Sequence, residues 1–102
     1  MNEPDEIVHQ STRLKLMSVL NALPAGEGLE FKRLKAIARA TDGNLGAHLA
    51  TLEKAGYVEI QKDFVGKRPR TQVRISRAGR RAYEGHLAYL RDILEGGVPE
   101  EE

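Results

Sequence analysis

The sequence has no cysteine. That excludes a disulfide framework, a thiolate metal site and any redox sensing through thiols. It also has no apolar run long enough to cross a bilayer. The opening "MNEPDEIVHQ" is acidic and lacks the basic and apolar regions of a secretory signal, so a cytoplasmic location is expected. Catalytic signatures are missing too: there is no Gly-Lys-Ser/Thr phosphate loop, no nucleophile elbow and no carboxylate or Cys/His set with a base and an orienting group. The expectation is a protein that is not an enzyme and carries no cofactor. Only His9, His48 and His86 bear imidazoles, and no two stand at helical ligand spacing, so no metal site is expected. Structural or rim roles suit them best. A lesser alternative has His86, with Tyr83 and Tyr89, lining a pocket for a small-molecule effector.

What is present is an ordinary globular composition, 40% hydrophobic and 30% charged over 102 residues, enough for one modest core. The organisation expected is a flexible acidic arm over 1–5, one domain over 6–95 and a flexible acidic tail over 96–102, with oligomerisation adding stability. The net charge of +1 conceals a segregation. From Tyr57 to Arg81 there are eight basic residues (Lys62, Lys67, Arg68, Arg70, Arg74, Arg77, Arg80, Arg81) against Glu59 and Asp63, a surplus of six. Such a stripe is the footprint of a phosphate binder, and charge alone equally allows a solvated face.

Periodicity predicts a first helix from Glu6 to about Leu23, stopped by "PAGEG". It carries two apolar arcs: Leu16, Val19, Leu20 and Leu23 on one side, Ile7, Leu14 and Met17 on another. Leu29 and Glu30 make a short extended entry to a helix over Phe31–Ala38, with Phe31, Leu34 and Ile37 inward and Lys32, Arg33 and Lys35 outward. The Thr41 hydroxyl can then cap a third helix, spanning 41–56, whose positive end Asp42 complements. Two helices joined so tightly form a helix-turn-helix. In the third helix Leu45, Leu49 and Leu52 share one face, Asn44, Ala47, Thr51 and Lys54 the other, and Gly56 ends it. "YVEIQKDFV" and "TQVRIS" alternate as a hairpin joined by "GKRPR", and Ser76 can cap a last helix bearing Tyr83, Leu87, Leu90 and Leu94. The fold class expected is α+β, mainly helical: a winged helix-turn-helix, with a three-helix core, a β-hairpin wing and a C-terminal dimerisation helix.

Three stretches, "TDGNLGAHLATLEKAGYV", "KRPRTQVRIS" and "RAGRRA", together resemble the small winged-helix DNA-binding regulators of the MarR/ArsR-like superfamily, over roughly His9 to Leu94. The resemblance implies a transcriptional regulator that dimerises through its terminal helices and lays the third helix in the major groove of double-stranded DNA. It does not extend to the metal ligands of cysteine-bearing sensors.

On that reading Thr41 positions the third helix, while Asn44, Ala47, His48 and Thr51 lie near base edges and Lys54 extends the same surface. Asparagine suits adenine, and Thr or Ala suits a thymine methyl. The wing over 64–71 puts Lys67, Arg68 and Arg70 on backbone or minor groove, and Lys32 and Lys35 stand near phosphates. Ile7, Leu14 and Met17 are expected to meet Tyr83, Leu87, Leu90 and Leu94 across a two-fold axis. Gly46 is a candidate for close helix approach. The alternative function is a winged helix that docks an acidic protein partner through its basic hairpin.

Overall fold

The structure, a computed structural model, describes residues 3–96. The elements run α1 (Glu6–His9), α2 (Ser11–Asn21), β1 (Leu29–Glu30), α3 (Phe31–Ala38), α4 (Asp42–Lys54), β2 (Val58–Val65), β3 (Arg68–Ile75) and α5 (Arg77–Leu94). β1, β3 and β2 form one antiparallel sheet with β3 central. This is the winged helix expected, with α3 and α4 as its helix-turn-helix and β2–β3 as its wing. Residues 1, 2 and 97–102, parts of the expected arm and tail, lie outside the described residues.

The first helix is not continuous. Gln10 is extended (φ −62°, ψ 131°), which divides the predicted helix into α1 and α2. Each piece has its own cap: the Asp5 carboxylate accepts from the amides of Ile7 and Val8, and the Gln10 side chain accepts from the amide of Arg13. Asp5 is therefore not part of a loose arm. Its second carboxylate oxygen also accepts from the Tyr57 hydroxyl at 2.6 Å.

The break rearranges the apolar arcs. α2 touches α3, α4, α5 and β3, with Leu16, Met17 and Leu20 buried and Ser11, Lys15 and Ser18 exposed. Met17, expected at a dimer seam, is fully buried beside Leu16 and Leu20, and Tyr83 is likewise inside the chain's own core. Ile7, Leu14 and Leu87 are partly buried against that core, while Leu94 at the end of α5 is 83% exposed. Of the expected interface residues, only Leu94 is exposed.

The wing differs from expectation in its turn. Val65 pairs with Arg68, so only Gly66 and Lys67 form the loop and Arg68, Pro69 and Arg70 belong to β3. Gly66 has φ +63°, the left-handed backbone that a two-residue hairpin loop requires at its first position. Pro69 is tolerated because β1 pairs only with Gln72 and Val73, leaving the strand edge beside Pro69 open.

Close backbone approach occurs at Gly79, not at Gly46. The Tyr57 carbonyl accepts from the Ser76 amide at 3.0 Å and lies directly against Gly79, where an added Cβ would strike it and the Ile75 side chain. A Cβ at Gly46 would meet nothing within 4 Å. Gly79→Ala is therefore expected to cost about 1–3 kcal/mol by overpacking. Gly46→Ala should gain up to about 1 kcal/mol of helix propensity. Urea midpoints of the two variants will move in opposite directions if this is right, and equal midpoints would contradict it.

Candidate nucleic-acid interface

α4 is a helix with two unlike sides. Thr41 caps it, its hydroxyl accepting from the Asn44 amide at 3.1 Å, and Gly56 follows its end at φ +81°. Leu45, Leu49 and Leu52 are buried, and with 3.6 residues per turn that burial turns Asn44, Ala47, Thr51 and Lys54 outward, where all four are exposed. Thr51 returns its hydroxyl hydrogen to the Ala47 carbonyl at 3.1 Å, leaving its methyl and oxygen available outside. The turn before α4 is tight because Arg39 takes the left-handed conformation (φ 52°) and its amide bonds back to Ala36. Nothing in the sequence marks Arg39 for that role, since the position more commonly belongs to glycine.

The cations divide into engaged and open ones. Arg70, expected on phosphates, grips Asp63 across the hairpin through two hydrogen bonds of 2.9 and 2.7 Å. That fork holds the Asp63 carboxyl below its ordinary pKa and raises the guanidinium's. Arg74 pairs with Glu59 at 2.9 Å, and Arg80 caps α2 by donating to the Asn21 and Leu23 carbonyls. Half of the basic stripe's arginines thus brace the fold. Lys35 pairs with Asp42 at 2.7 Å and Arg68 only loosely with Glu30 at 3.9 Å; both are exposed pairs worth about 0–1 kcal/mol, readily exchanged for a phosphate. Among the described residues, Lys32, Lys54, Lys62 and Lys67 are exposed and form no ion pair.

The three histidines are brought into use by contacts the sequence does not show. Arg13, unremarked in the sequence, donates from Nε to the Ile7 carbonyl at 2.6 Å and from Nη1 to Nδ1 of His48 at 3.1 Å. Burial first, and Arg13 second, hold the His48 pKa down. His86 is only 1% exposed, not at the rim of its stripe. Its Nδ1 accepts from the Asp5 amide at 3.1 Å, its Nε2 faces Nδ1 of His9 at 3.2 Å, and its ring stacks on Tyr89. With both nitrogens occupied, it offers no free polar edge to an effector. Burial, then His9, lower its pKa against the opposing pull of Asp5 and Glu6. The hydrogen bond to Asp5, with burial behind it, pushes Tyr57 up to about 12. No group of three or more metal-capable side chains converges among the described residues, and no helix there is long and apolar enough to cross a membrane.

Comparison with known proteins agrees with this geometry. A family model, the winged helix DNA-binding domain, matches residues 12–94. An uncharacterized protein of Methanocaldococcus jannaschii is 36% identical over 90 residues, covering 88% of this chain and 91% of the relative. The solved structure of a transcriptional regulator homologue from Pyrococcus horikoshii OT3 superposes with a TM-score of 0.80 at 28% identity, covering 90% of this chain and 88% of that one. The homodimeric winged helix-turn-helix DNA-binding domain of a possible ArsR-family transcriptional regulator from Mycobacterium bovis gives a TM-score of 0.70 at 15% identity, with 94% and 82% covered.

The histidine environment predicts a pH dependence. The folded state binds the His86 and His48 protons more weakly than the unfolded chain, whose imidazoles titrate near 6.5. Their contribution is therefore full above that value and is lost as the pH falls through it toward the folded values. Thermal unfolding should show a lower midpoint at about pH 5.5 than at about pH 7.5, and His86→Gln should shrink that difference. An unchanged pH difference in the variant would remove His86 from the account.

Proposed function

Because the chain belongs to the winged helix DNA-binding domain family, we propose that it acts as a dimeric transcriptional regulator that reads duplex DNA through α4. The family is one of DNA-binding domains, not of enzymes. The observation that carries the reading is the outward row of α4. Asn44, Ala47 and Thr51 are exposed, short and without ion partners, on a helix whose opposite side is locked in the core. A helix held so firmly, with only short side chains on its outward row from Asn44 to Thr51, can approach base edges closely. Asn44 pairs with a base edge, Thr51 and Ala47 meet methyl groups, and His48 and Lys54 flank them.

Lys67 and Arg68, at the tip of a hairpin stiffened by the Arg70–Asp63 fork, lie along the backbone or in the minor groove. Lys32 and Lys35 add phosphate contacts from α3, Lys35 by leaving Asp42. The second copy packs on the distal part of α5, where Ile93 and Leu94 are exposed beside Leu90. The homodimeric state of the Mycobacterium bovis domain supports a dimer, and the exposed end of α5 is where we place its seam. Two such helices would address half-sites about 34–36 Å apart.

Lys67→Ala and Arg68→Ala together should weaken binding to every duplex alike and reduce the salt slope by about 1 per lost phosphate contact. Asn44→Ala should cost about 1–3 kcal/mol of discrimination at one base pair and leave the slope unaltered. Fluorescence anisotropy over a salt series, with light scattering for the mass, reads all three. A folded protein that binds no duplex, or binds all without preference, would favour the acidic-partner reading of the wing instead.

A further inference from the structure

We propose that Arg13 is a positioning residue for base recognition: it locks His48 so that α4 presents a single imidazole N–H donor, from Nε2, to an acceptor on a base edge. This rests on the reading of α4 as the helix in the major groove. The case is built from donor chemistry. A guanidinium can only donate, so Nδ1 of His48, 3.1 Å from Arg13 Nη1, is the acceptor in that hydrogen bond. A neutral imidazole has one hydrogen, which must then sit on Nε2.

Nε2 is left facing outward. His48 is half-buried, yet no hydrogen-bond partner for Nε2 occurs among the described residues, and no buried side-chain nitrogen or oxygen there lacks a partner. The atom therefore reaches solvent. His48 follows Asn44 by four residues and precedes Thr51 by three, spacings that put neighbouring side chains on one helical surface. The locked donor thus stands between the two residues already placed at base edges.

The lock narrows what the ring can read. A free imidazole exchanges tautomers and serves as donor or acceptor, so it tolerates both the carbonyls and the amino groups of bases. Fixed as a donor, Nε2 accepts no hydrogen bond from adenine N6 or cytosine N4, and it is left with the acceptors guanine O6 or N7, adenine N7 and thymine O4. A doubly protonated ring would set an N–H against the guanidinium, so Arg13 also opposes the imidazolium. Arg13 is itself oriented from the far side: its Nε donates to the Ile7 carbonyl, so the short α1 turn helps to aim a side chain on the recognition helix.

The test uses the full chain. Long-range proton–nitrogen correlation of the histidine rings, with the His48 signals identified by their loss in His48→Ala, should show His48 with hydrogen on Nε2 and a bare Nδ1. In parallel, wild type, Arg13→Gln, Arg13→Lys, His48→Ala and Asn44→Ala are each put through selection from a pool of randomised duplexes. Arg13→Gln and His48→Ala should lose about tenfold in preference at the same base pair, with the salt slope kept, and Asn44→Ala should lose it at a different pair. Arg13→Lys, whose ammonium can only donate where the Gln amide both donates and accepts, should restore part of the preference. A wild-type His48 with hydrogen on Nδ1, or a tautomer mixture, overturns the inference whether or not Arg13→Gln folds. So does an Arg13→Gln protein with wild-type preference throughout; if Asn44→Ala still shifts selection, the groove reading survives that loss. A wild type that selects no duplex overturns both.

Discussion

The burial of Leu45, Leu49 and Leu52 fixes the rotation of α4 about its own axis, and the rest of the arrangement depends on it. A helix has one angular freedom once its ends are placed. Each buried leucine is worth about 2 kcal/mol, so three on one side leave a single orientation that does not expose several kcal/mol of apolar surface. The outward row follows from that orientation without any contact of its own. The Thr41 cap sets where the helix begins, and the left-handed Arg39 sets the angle at which the chain enters it. The outward row is thus placed mainly by the leucines behind it, and the side chain of Asn44 is not spent on holding the helix.

The charges show the same separation between holding and reaching. Arg80 satisfies carbonyls at the end of α2, and Arg70 and Arg74 tie the two wing strands together through Asp63 and Glu59. These arginines use planar, multiply donating groups where geometry is fixed. The lysines stay out: Lys32, Lys54, Lys62 and Lys67 are compact charges on long stems, without ion partners among the described residues. A phosphate backbone needs reach and charge more than fork geometry. The basic surplus is thus partly scaffold and partly surface, which its count alone conceals.

The start of the described chain acts as a clasp. Asp5 caps α1, accepts from Tyr57 beside the sheet and offers its amide to His86 of α5, while His9 meets the same imidazole from α1. Tyr57 in turn presents its carbonyl to Ser76 and Gly79, where α5 begins. Two residues after Asp5 the Ile7 carbonyl holds Arg13 against His48 of α4. Asp5 and the four residues of α1 therefore connect α5 and α4 through hydrogen bonds, and no buried side-chain nitrogen or oxygen among the described residues lacks a partner. Part-buried around the fully enclosed His86, such a network favours one geometry.

The sequence by itself determined the elements and their faces. Apolar spacing marked α3, α4 and α5, side-chain oxygens at Thr41 and Ser76 marked two helix starts, and alternation marked the hairpin, because each signal is local and acts through the chain's own periodicity. The break at Gln10 was less visible: glutamine is an uncommon cap, and Ile7, Leu14 and Met17 fit one helical arc across it. Only the tertiary structure decided that Met17 and Tyr83 are core, since that depends on how many neighbours surround α2 and α5. It alone assigned arginines to bracing or to solvent, and it alone joined Arg13 to His48 and His9 to His86, pairs 35 and 77 residues apart. A hydrogen bond between distant residues leaves no period in a sequence; it exists once packing has brought donor and acceptor within reach.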